Sequence, residues 1–494
     1  MSNSDDAKAV EPGNSYLGAG SLTAISRATS QGSQLVIFIF AARALSPADF
    51  GVFAIVSACA MLLLRLAEAG WPEFIMSWRG DEVVPRQVLT IACLAGVGSM
   101  IAGLIVTAIL WMLGSAPDLV LLAGLFALWI MLATISAALT GVLIWQNKLK
   151  QSALVYLIGE LTGLVVAVAA LYAGFGVLAL IYGRLAHQIV QLASSLMFCR
   201  MRPAARIEGS VWREVRSFCM HILASRVVSN IRMYASTFII GGFLGPAAVG
   251  YFRAAQRLVA AFGEIIGEPT RVLAWGMFKK AQSAEQGSFN KIAVVFFPVL
   301  MALAIPVFLW IAIFSVELTI GLLGAQWAPT APLIVVLAFA QLAIAPSFAT
   351  EAIISLAGFV KKIPLIATIN AVLSIVVTVI AAPYGVMAVA VSQAVVAVVF
   401  LASSIWMQEK YADIRWREVV IALWYPLIAI GISGVILLGL ARSDLGTDWH
   451  PLLRVVVLTL PAMAIYTGLM AALFREEATK FLRQVSPKPN RKSA

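Results

Sequence analysis

Apolar segments of about 20 residues recur from one end of the chain to the other, separated by short polar gaps. A helix of that length crosses roughly 30 Å of hydrocarbon. In lipid every backbone polar group has to bond within its own segment, which favours helices. The pattern predicts fourteen membrane spans, at 21–43, 50–71, 88–113, 119–145, 152–173, 176–199, 218–243, 249–275, 292–314, 331–356, 363–382, 385–407, 418–441 and 451–474. The short period-two alternation of a membrane β-barrel is absent. The expected fold class is an all-α polytopic membrane protein.

The polar gaps are not alike. The N-terminal tail, the even-numbered gaps and the C-terminal tail hold 24 of the 35 Lys and Arg residues, whereas the odd gaps hold only Arg43 and Arg442. Basic loops stay on the cytoplasmic side, so both termini are expected in the cytoplasm of a bacterial inner (plasma) membrane. An even number of spans is required for this, and fourteen satisfies it. What remains is nine arginines within spans: Arg27, Arg65, Arg184, Arg226, Arg232, Arg253, Arg257, Arg271 and Arg454. The acids at similar depth are fewer: Glu68, Glu160, Glu264, Glu268 and Glu351.

Composition narrows the class further. The 494 residues are 61% hydrophobic and 12% charged, a balance that a soluble domain of this size does not tolerate. The net charge of +11 would suggest nucleic acid in a soluble protein. Here it is spread over short loops, so topology accounts for it and no nucleic-acid partner is expected. Cys59, Cys93, Cys199 and Cys219 fall in or at the end of apolar spans and read as small hydrophobes. No metal site, cofactor or catalytic residue is expected. The polar N-tail, with Asp5, Asp6 and Glu11, leads into a first span too long for a cleaved leader, so that span is expected to stay as an anchor.

Two stretches resemble each other at a separation of 199 residues. Ser26-Arg27 pairs with Ser225-Arg226 and Ser30 with Ser229, and the segment from Leu45 to Phe53 pairs with Leu244 to Phe252. Eight of the 28 aligned positions are identical. At a separation of 209, Gly174 to Ala179 corresponds to Pro383 to Ala388. Each repeat is six spans, so the halves enter the membrane in the same direction, as in some transporters. The expected organisation is a cytoplasmic N-tail (1–20), a six-helix bundle (21–199), a cytoplasmic linker (200–217), a second six-helix bundle (218–407), two added helices (408–474) and a basic tail (475–494). A substrate path is expected between the halves.

Charge inside a bilayer is costly and generally faces a polar interior. At 100° per residue, Arg253, Arg257, Glu264, Glu268 and Arg271 fall within about 60° of one another on the eighth span. That face is expected to line water or a partner helix. The first span carries Thr23, Arg27, Ser30, Gln31 and Gln34 in a similar stripe, the sixth Arg184, His187, Gln188, Gln191 and Ser195, and the seventh Arg226, Asn230 and Thr237. Arg65 and Glu68 are placed to pair at i, i+3. Arg232 and Arg454 belong to no such stripe and read as structural. His187 and His221 read as ordinary polar packing residues. Prolines within spans, Pro306, Pro346, Pro426 and Pro461, permit bends or plain packing kinks. Arginine exceeds acid in the spans and is the better bidentate partner of phosphate and carboxylate, so the expected cargo is anionic, with a diphosphate as the natural candidate.

These residues resemble a known family. The run Ala42-Arg43-Ala44-Leu45-Ser46-Pro47-Ala48-Asp49-Phe50-Gly51, the run Leu66-Ala67-Glu68-Ala69-Gly70, the run Ala173 to Leu180, and the helix from Arg253 to Phe278 are similar to those of the polysaccharide-transporter (Wzx-type) flippases of the multidrug/oligosaccharidyl-lipid/polysaccharide (MOP) superfamily. The resemblance covers roughly the first twelve spans. It implies transport of an undecaprenyl-diphosphate-linked oligosaccharide from the cytoplasmic to the periplasmic leaflet, through a cationic cavity between two six-helix bundles. It implies headgroup binding by Arg27, Arg253 and Arg257, with Arg226 as the repeat mate of Arg27. Arg65, Arg184 and Arg271 complete the candidate cationic set. Glu68, Glu160, Glu264, Glu268 and Glu351 are candidates for ion coupling or for charge pairing, and Glu264 and Glu268 depart from a purely basic lining. The partners implied are the lipid-linked oligosaccharide, the bilayer, and polysaccharide polymerase and export proteins.

Two readings within the same fold stay open: a lipid II flippase, and a drug or cation antiporter, which the arginine excess disfavours. A membrane polymerase, ligase or glycosyltransferase would need a sizeable extracytoplasmic segment. The odd gaps are short, and the longest, of about 16 residues, holds only Glu317 as a charged residue. No nucleophile–His–acid set stands outside the spans.

Overall fold

Prolines open the helices and glycines turn the corners between them. A computed structural model describes residues 13–282, 288–473 and 479. Residues 1–12 and all of the basic tail except Thr479 lie outside the described residues. Eighteen α-helices follow one another, with no strand among the described residues. They are α1 Gly13–Ala44, α2 Pro47–Glu68, α3 Trp71–Ser77, α4 Val83–Met112, α5 Pro117–Trp145, α6 Leu149–Tyr172, α7 Leu178–Cys199, α8 Gly209–Leu244 and α9 Pro246–Gln282. Next come α10 Ser288–Ile313, α11 Ser315–Leu318, α12 Ala331–Ile344, α13 Thr350–Leu356, α14 Ile363–Ala381, α15 Val386–Ala412, α16 Trp416–Ala422, α17 Trp424–Arg442 and α18 Pro451–Leu473. Proline at the first helical position costs nothing, because its missing N–H would be unpaired there anyway. Pro47, Pro117, Pro246 and Pro451 use this position. Gly114, Gly245 and Gly385 carry positive φ in the turns between helices.

Ten segments among the described residues are long and apolar enough to cross a membrane. Four more helices, α1, α7, α8 and α9, are 22 to 37 residues long and carry the polar stripes, which keeps them outside that set. Three regions differ from the sequence expectation. A short helix, α3, follows the second span after a turn in which Gly70 takes φ of 100°. The ninth gap is not a loop: α11 runs into a π-helical turn (Thr319–Leu323) and a 3-10 turn (Ala325–Thr330). The tenth span is broken into α12 and α13 by a 3-10 turn (Ala345–Ala349) around Pro346, which has no N–H to continue the ladder.

The chain forms two compact units. Unit 1 holds α1, α2 from Val52 onward, α3 to α7, and α8 as far as Tyr234. Its core gathers Trp71, Phe74 and Ile75 of α3 with Val88 and Leu89 of α4, Leu139 and Val142 of α5, and Val215 and Cys219 of α8. Part of the stretch expected as a cytoplasmic linker bonds to α4. Ala204 N–H donates to Arg86 O at 3.1 Å, Thr90 Oγ1 donates to Ala204 O at 2.8 Å, and Glu208 N–H donates to Gln87 Oε1 at 2.9 Å.

Unit 2 holds the opening turn Ser46–Gly51 and everything from Ala235. One core centres on Phe278, Phe296, Phe297, Ile353 and Trp416, and another joins Phe314 to Leu437 of α17 and Leu458 of α18. The repeat is visible in the helix ends. Helices α2 and α9 open at Pro47 and Pro246, which are 199 residues apart. Gly176 and Gly385, 209 apart, both take positive φ just ahead of α7 and α15. The four cysteines are free thiols.

Candidate functional site

The polar faces of α2, α6, α7 and α8 in unit 1 and of α9 in unit 2 hold the charges expected to matter. In unit 1 the helical spacing of Arg65 and Glu68 places Arg65 Nη1 2.6 Å from Glu68 Oε2. Glu68 is buried, and Arg226 of α8 approaches the same oxygen at 3.7 Å. The other end of the Arg226 guanidinium donates to Glu73 Oε1. Glu73 sits on α3, and the turn at Gly70 is what brings it there. Ile222 lies against Gly70, and Phe218 against Phe74, so α8 packs directly on this corner. Glu73 Oε2 and Arg226 Nη1 are buried and make no hydrogen bond among the described residues. The Arg226 charge is thus shared between two carboxylates and not fully bonded by either.

Arg184 on α7 meets aromatic rings instead of acids. Its guanidinium carbon lies 5.2 Å from the Phe53 ring centre and 5.6 Å from those of Phe126 and Trp129. Each such contact with a desolvated cation contributes on the order of 1–2 kcal/mol. Its Nη1 is buried without a hydrogen bond among the described residues. Buried Glu160 on α6 pairs with His187 on α7, Oε2 to Nδ1, at 3.2 Å. Arg27 lies in α1, and its side chain is outside the described residues, as is that of Arg232.

In unit 2 one face of α9 carries the charges in register, as 100° geometry requires. Arg253 Nη1 donates to Gln256 Oε1 at 2.8 Å. Arg257 follows one turn later and is half-buried. Arg271 Nη1 lies 2.6 Å from Glu268 Oε1 and 3.8 Å from Glu264 Oε2. Its guanidinium also stacks 5.0 Å over Phe348. Glu351 is exposed in the first turn of α13.

Arg454 stands apart from these stripes. It pairs with Glu317 of α11 at 3.0 Å and donates to Ala441 O, Ser443 O and Leu445 O. That is a structural clamp at the helix ends, in keeping with its isolation in the sequence. Neither Glu73 nor Glu317 belongs to the charge pattern read from the sequence. Glu73 has a local signal, since Gly70 followed by Pro72 is a stop and a fresh helix start. Glu317 has none.

These arrangements supply cationic donors on long helices, several only partly bonded, and among the described residues no group of three His, Cys, Asp or Glu that would hold a metal. The sequence profile of the polysaccharide biosynthesis protein family matches residues 40–332, more than half of the chain. The chain belongs to the polysaccharide biosynthesis protein family. A relative, the succinoglycan biosynthesis transport protein ExoT of Rhizobium meliloti (strain 1021), is 22% identical over 326 residues. That match spans 65% of this chain and 65% of the relative. Among solved structures, the lipid II flippase MurJ in an inward closed conformation superposes with a TM-score of 0.71 at 14% identity, covering 92% of this chain and 99% of that one. An inward-facing multidrug resistance MATE family transporter of the MOP superfamily gives 0.62 at 15% identity, over 78% and 95%. This family member therefore has the MOP transporter fold and is a multi-pass membrane protein.

Proposed function

We propose that the protein is a flippase that moves an undecaprenyl-diphosphate-linked oligosaccharide from the cytoplasmic to the periplasmic leaflet of the bacterial inner membrane by alternating access. The cargo would be a repeat unit of exopolysaccharide, O-antigen or capsule. The observation that carries the reading is the basic face of α9, on which Arg253 and Arg257 lie half-buried on a membrane helix. Burying guanidinium groups in lipid is costly, and a diphosphate headgroup would repay it with charge-assisted hydrogen bonds. Membership in a polysaccharide biosynthesis family and the transport role in the name of ExoT support the same class of cargo. Arg27, Arg65, Arg184, Arg226 and Arg271 complete the binding set in this proposal. The diphosphate competes with Glu68 and Glu73 for Arg226, so binding and release exchange one set of anions for another.

Deletion of the gene in its host, with mass analysis of lipid-linked oligosaccharides and of surface polymer, tests the proposal. Complete repeat units stranded on the cytoplasmic side with loss of surface polymer are expected. Normal surface polymer with altered sensitivity to cationic drugs would instead assign an antiporter, and stranded lipid II would assign cell-wall synthesis. Arg257→Ala should lower export while leaving abundance intact. A charge-assisted hydrogen bond contributes about 1.5–3 kcal/mol, equivalent to roughly a 10- to 100-fold fall. Wild-type export by Arg27→Ala, Arg226→Ala and Arg257→Ala combined would remove the cationic mechanism.

The orientation in this proposal has both termini in the cytoplasm. A reporter fused after Gly114, in the turn between α4 and α5, should then give a periplasmic signal. A cytoplasmic signal from that fusion would invert the topology.

A further inference from the structure

The charged face of α9 changes character along its length. Arg253 and Arg257 are followed on the same face by Glu264, Glu268 and Arg271, and Trp275 continues it one turn later. Glu264, Glu268 and Arg271 side chains are 46%, 57% and 40% exposed, and Trp275 is 41% exposed. Two carboxylates thus flank one guanidinium. Glu268 Oε1 accepts from Arg271 Nη1 at 2.6 Å, whereas Glu264 Oε2 lies 3.8 Å from it, beyond hydrogen-bond reach. Glu264 also interacts electrostatically with Arg257.

Close packing within unit 2 completes the patch. Gly263 and Gly267, four apart on α9, admit the broken tenth span. A Cβ at Gly263 would stand 2.6 Å from Gln341 Nε2 of α12, and one at Gly267 would stand 3.2 Å from the Phe348 ring. Phe348 lies in the 3-10 turn that breaks the span, and Arg271 stacks over it. Interrupted membrane helices commonly border the substrate site of a transporter. Glu264, Gln341 and Trp275 make no hydrogen bond among the described residues. Their polar groups are open to water or to a ligand.

This set of groups selects among ligands. A metal ion would meet the Arg271 charge between the carboxylates, and a second diphosphate would meet two carboxylates against one guanidinium. Sugar rings suit every member. Carboxylates accept strong hydrogen bonds from hydroxyls, arginine donates to ring and hydroxyl oxygens, and the Gln341 amide does both. The apolar C–H face of a sugar packs on the indole of Trp275, which offers a large rigid apolar surface. At 1.5 Å per residue, Glu264 and Glu268 stand about 10 and 16 Å along the helix from Arg257, within the length of a short oligosaccharide.

We propose that Glu264, Glu268, Arg271, Gln341 and Trp275 form a saccharide-binding subsite, which takes the sugars beyond a diphosphate held at Arg253 and Arg257. The subsite rests on the lipid-linked oligosaccharide reading above, and it gives Glu264 and Glu268 to cargo recognition instead of ion coupling.

Equilibrium binding to the full-length protein in detergent tests it, with two probes: undecaprenyl diphosphate, and lipid-linked oligosaccharide extracted from the host. Wild type should bind the sugar-bearing lipid at least about tenfold more tightly, the factor of one charge-assisted hydrogen bond. Glu268→Gln and Trp275→Ala should lose most of that gain. Neither should weaken binding of the bare diphosphate, since Glu268→Gln removes a negative charge and Trp275→Ala removes none. Trp275→Tyr keeps an aromatic face and should keep most of the gain. Arg257→Ala should weaken both probes alike. Equal wild-type affinity for the two probes, or an undiminished gain in both variants, overturns the subsite and leaves diphosphate binding standing. Weakening of both probes in Glu268→Gln and Trp275→Ala makes these residues structural and overturns it too. Failure of wild type to bind either probe overturns the flippase reading itself, and the subsite with it.

Discussion

Gly51→Ala and Gly250→Ala should each strongly reduce both the thermal stability and the transport activity of the protein. Gly51 on α2 faces Pro246 at the start of α9, and Gly250 on α9 faces Pro47 at the start of α2. A Cβ at Gly51 would lie far inside contact distance of Pro246 O, and 2.6 Å from the carbonyl carbon. A Cβ at Gly250 would meet Pro47 O in the same way, with the carbonyl carbon at 2.8 Å. The obstructing atoms are backbone, so no side chain can swing aside and the helices themselves must separate. Overpacking of this sort costs about 1–3 kcal/mol even where side chains can adjust, and the cost here belongs at the top of that range. The two contacts are mates in the 199-residue repeat and lie in one crossing. The double substitution should therefore cost less than the sum of the singles, because the first already opens the gap that the second needs. Thermal unfolding in detergent, with Gly276→Ala as control, reads this directly. Gly276 is on α9 with nothing near its would-be Cβ, so alanine there should be neutral or slightly stabilising. Wild-type stability in Gly51→Ala would mean that the helices do not cross this closely.

The crossing also marks the boundary of what was legible in the sequence. The 199-residue match places Gly51 opposite Gly250 in an alignment, but nothing local says that each abuts the other's proline. That fact is tertiary. The charged face of α9 was readable because helical geometry alone places Arg271 over Glu268 and Glu264. For the same reason Arg65 and Glu68 were readable as a pair. Arg226 was visible as a membrane arginine, yet its main partner was not. Glu73 is brought to it by the turn at Gly70 and the short helix α3, an element shorter than any hydropathy window resolves. The sequence presents His187 as a packing residue because the close approach of α7 at Gly159 and Gly163, which seats it on Glu160, depends on which helix packs against α6. Hydropathy presents the tenth span as continuous, although the structure is broken around Pro346, because both pieces are apolar.

Arg454→Ala should be among the most destabilising single substitutions in unit 2. Helix α17 ends at Arg442, and the last carbonyls of a helix have no partner within it. Arg454, in the first turn of α18, donates to Ala441 O and Ser443 O at 2.9 Å and to Leu445 O at 3.2 Å. Its remaining nitrogen reaches Glu317 of α11 at 3.0 Å, with the two side chains 15% and 17% exposed. One guanidinium thus fastens the α17–α18 turn to the segment after α10, beside the core of Phe314, Leu437 and Leu458. Alanine leaves a largely buried carboxylate and three carbonyls unpaired. Removing one partner of a buried ion pair costs about 3–5 kcal/mol. Glu317→Gln should cost less, since the amide oxygen still accepts from Arg454, and Glu317→Leu should fall between the two. Adding Glu317→Leu to Arg454→Ala should recover part of the loss, because the stranded carboxylate is then gone. A double-mutant cycle on unfolding free energy measures that coupling. If Arg454→Ala unfolds like the wild type, or if removing Glu317 brings no recovery, the clamp does not hold these helices together.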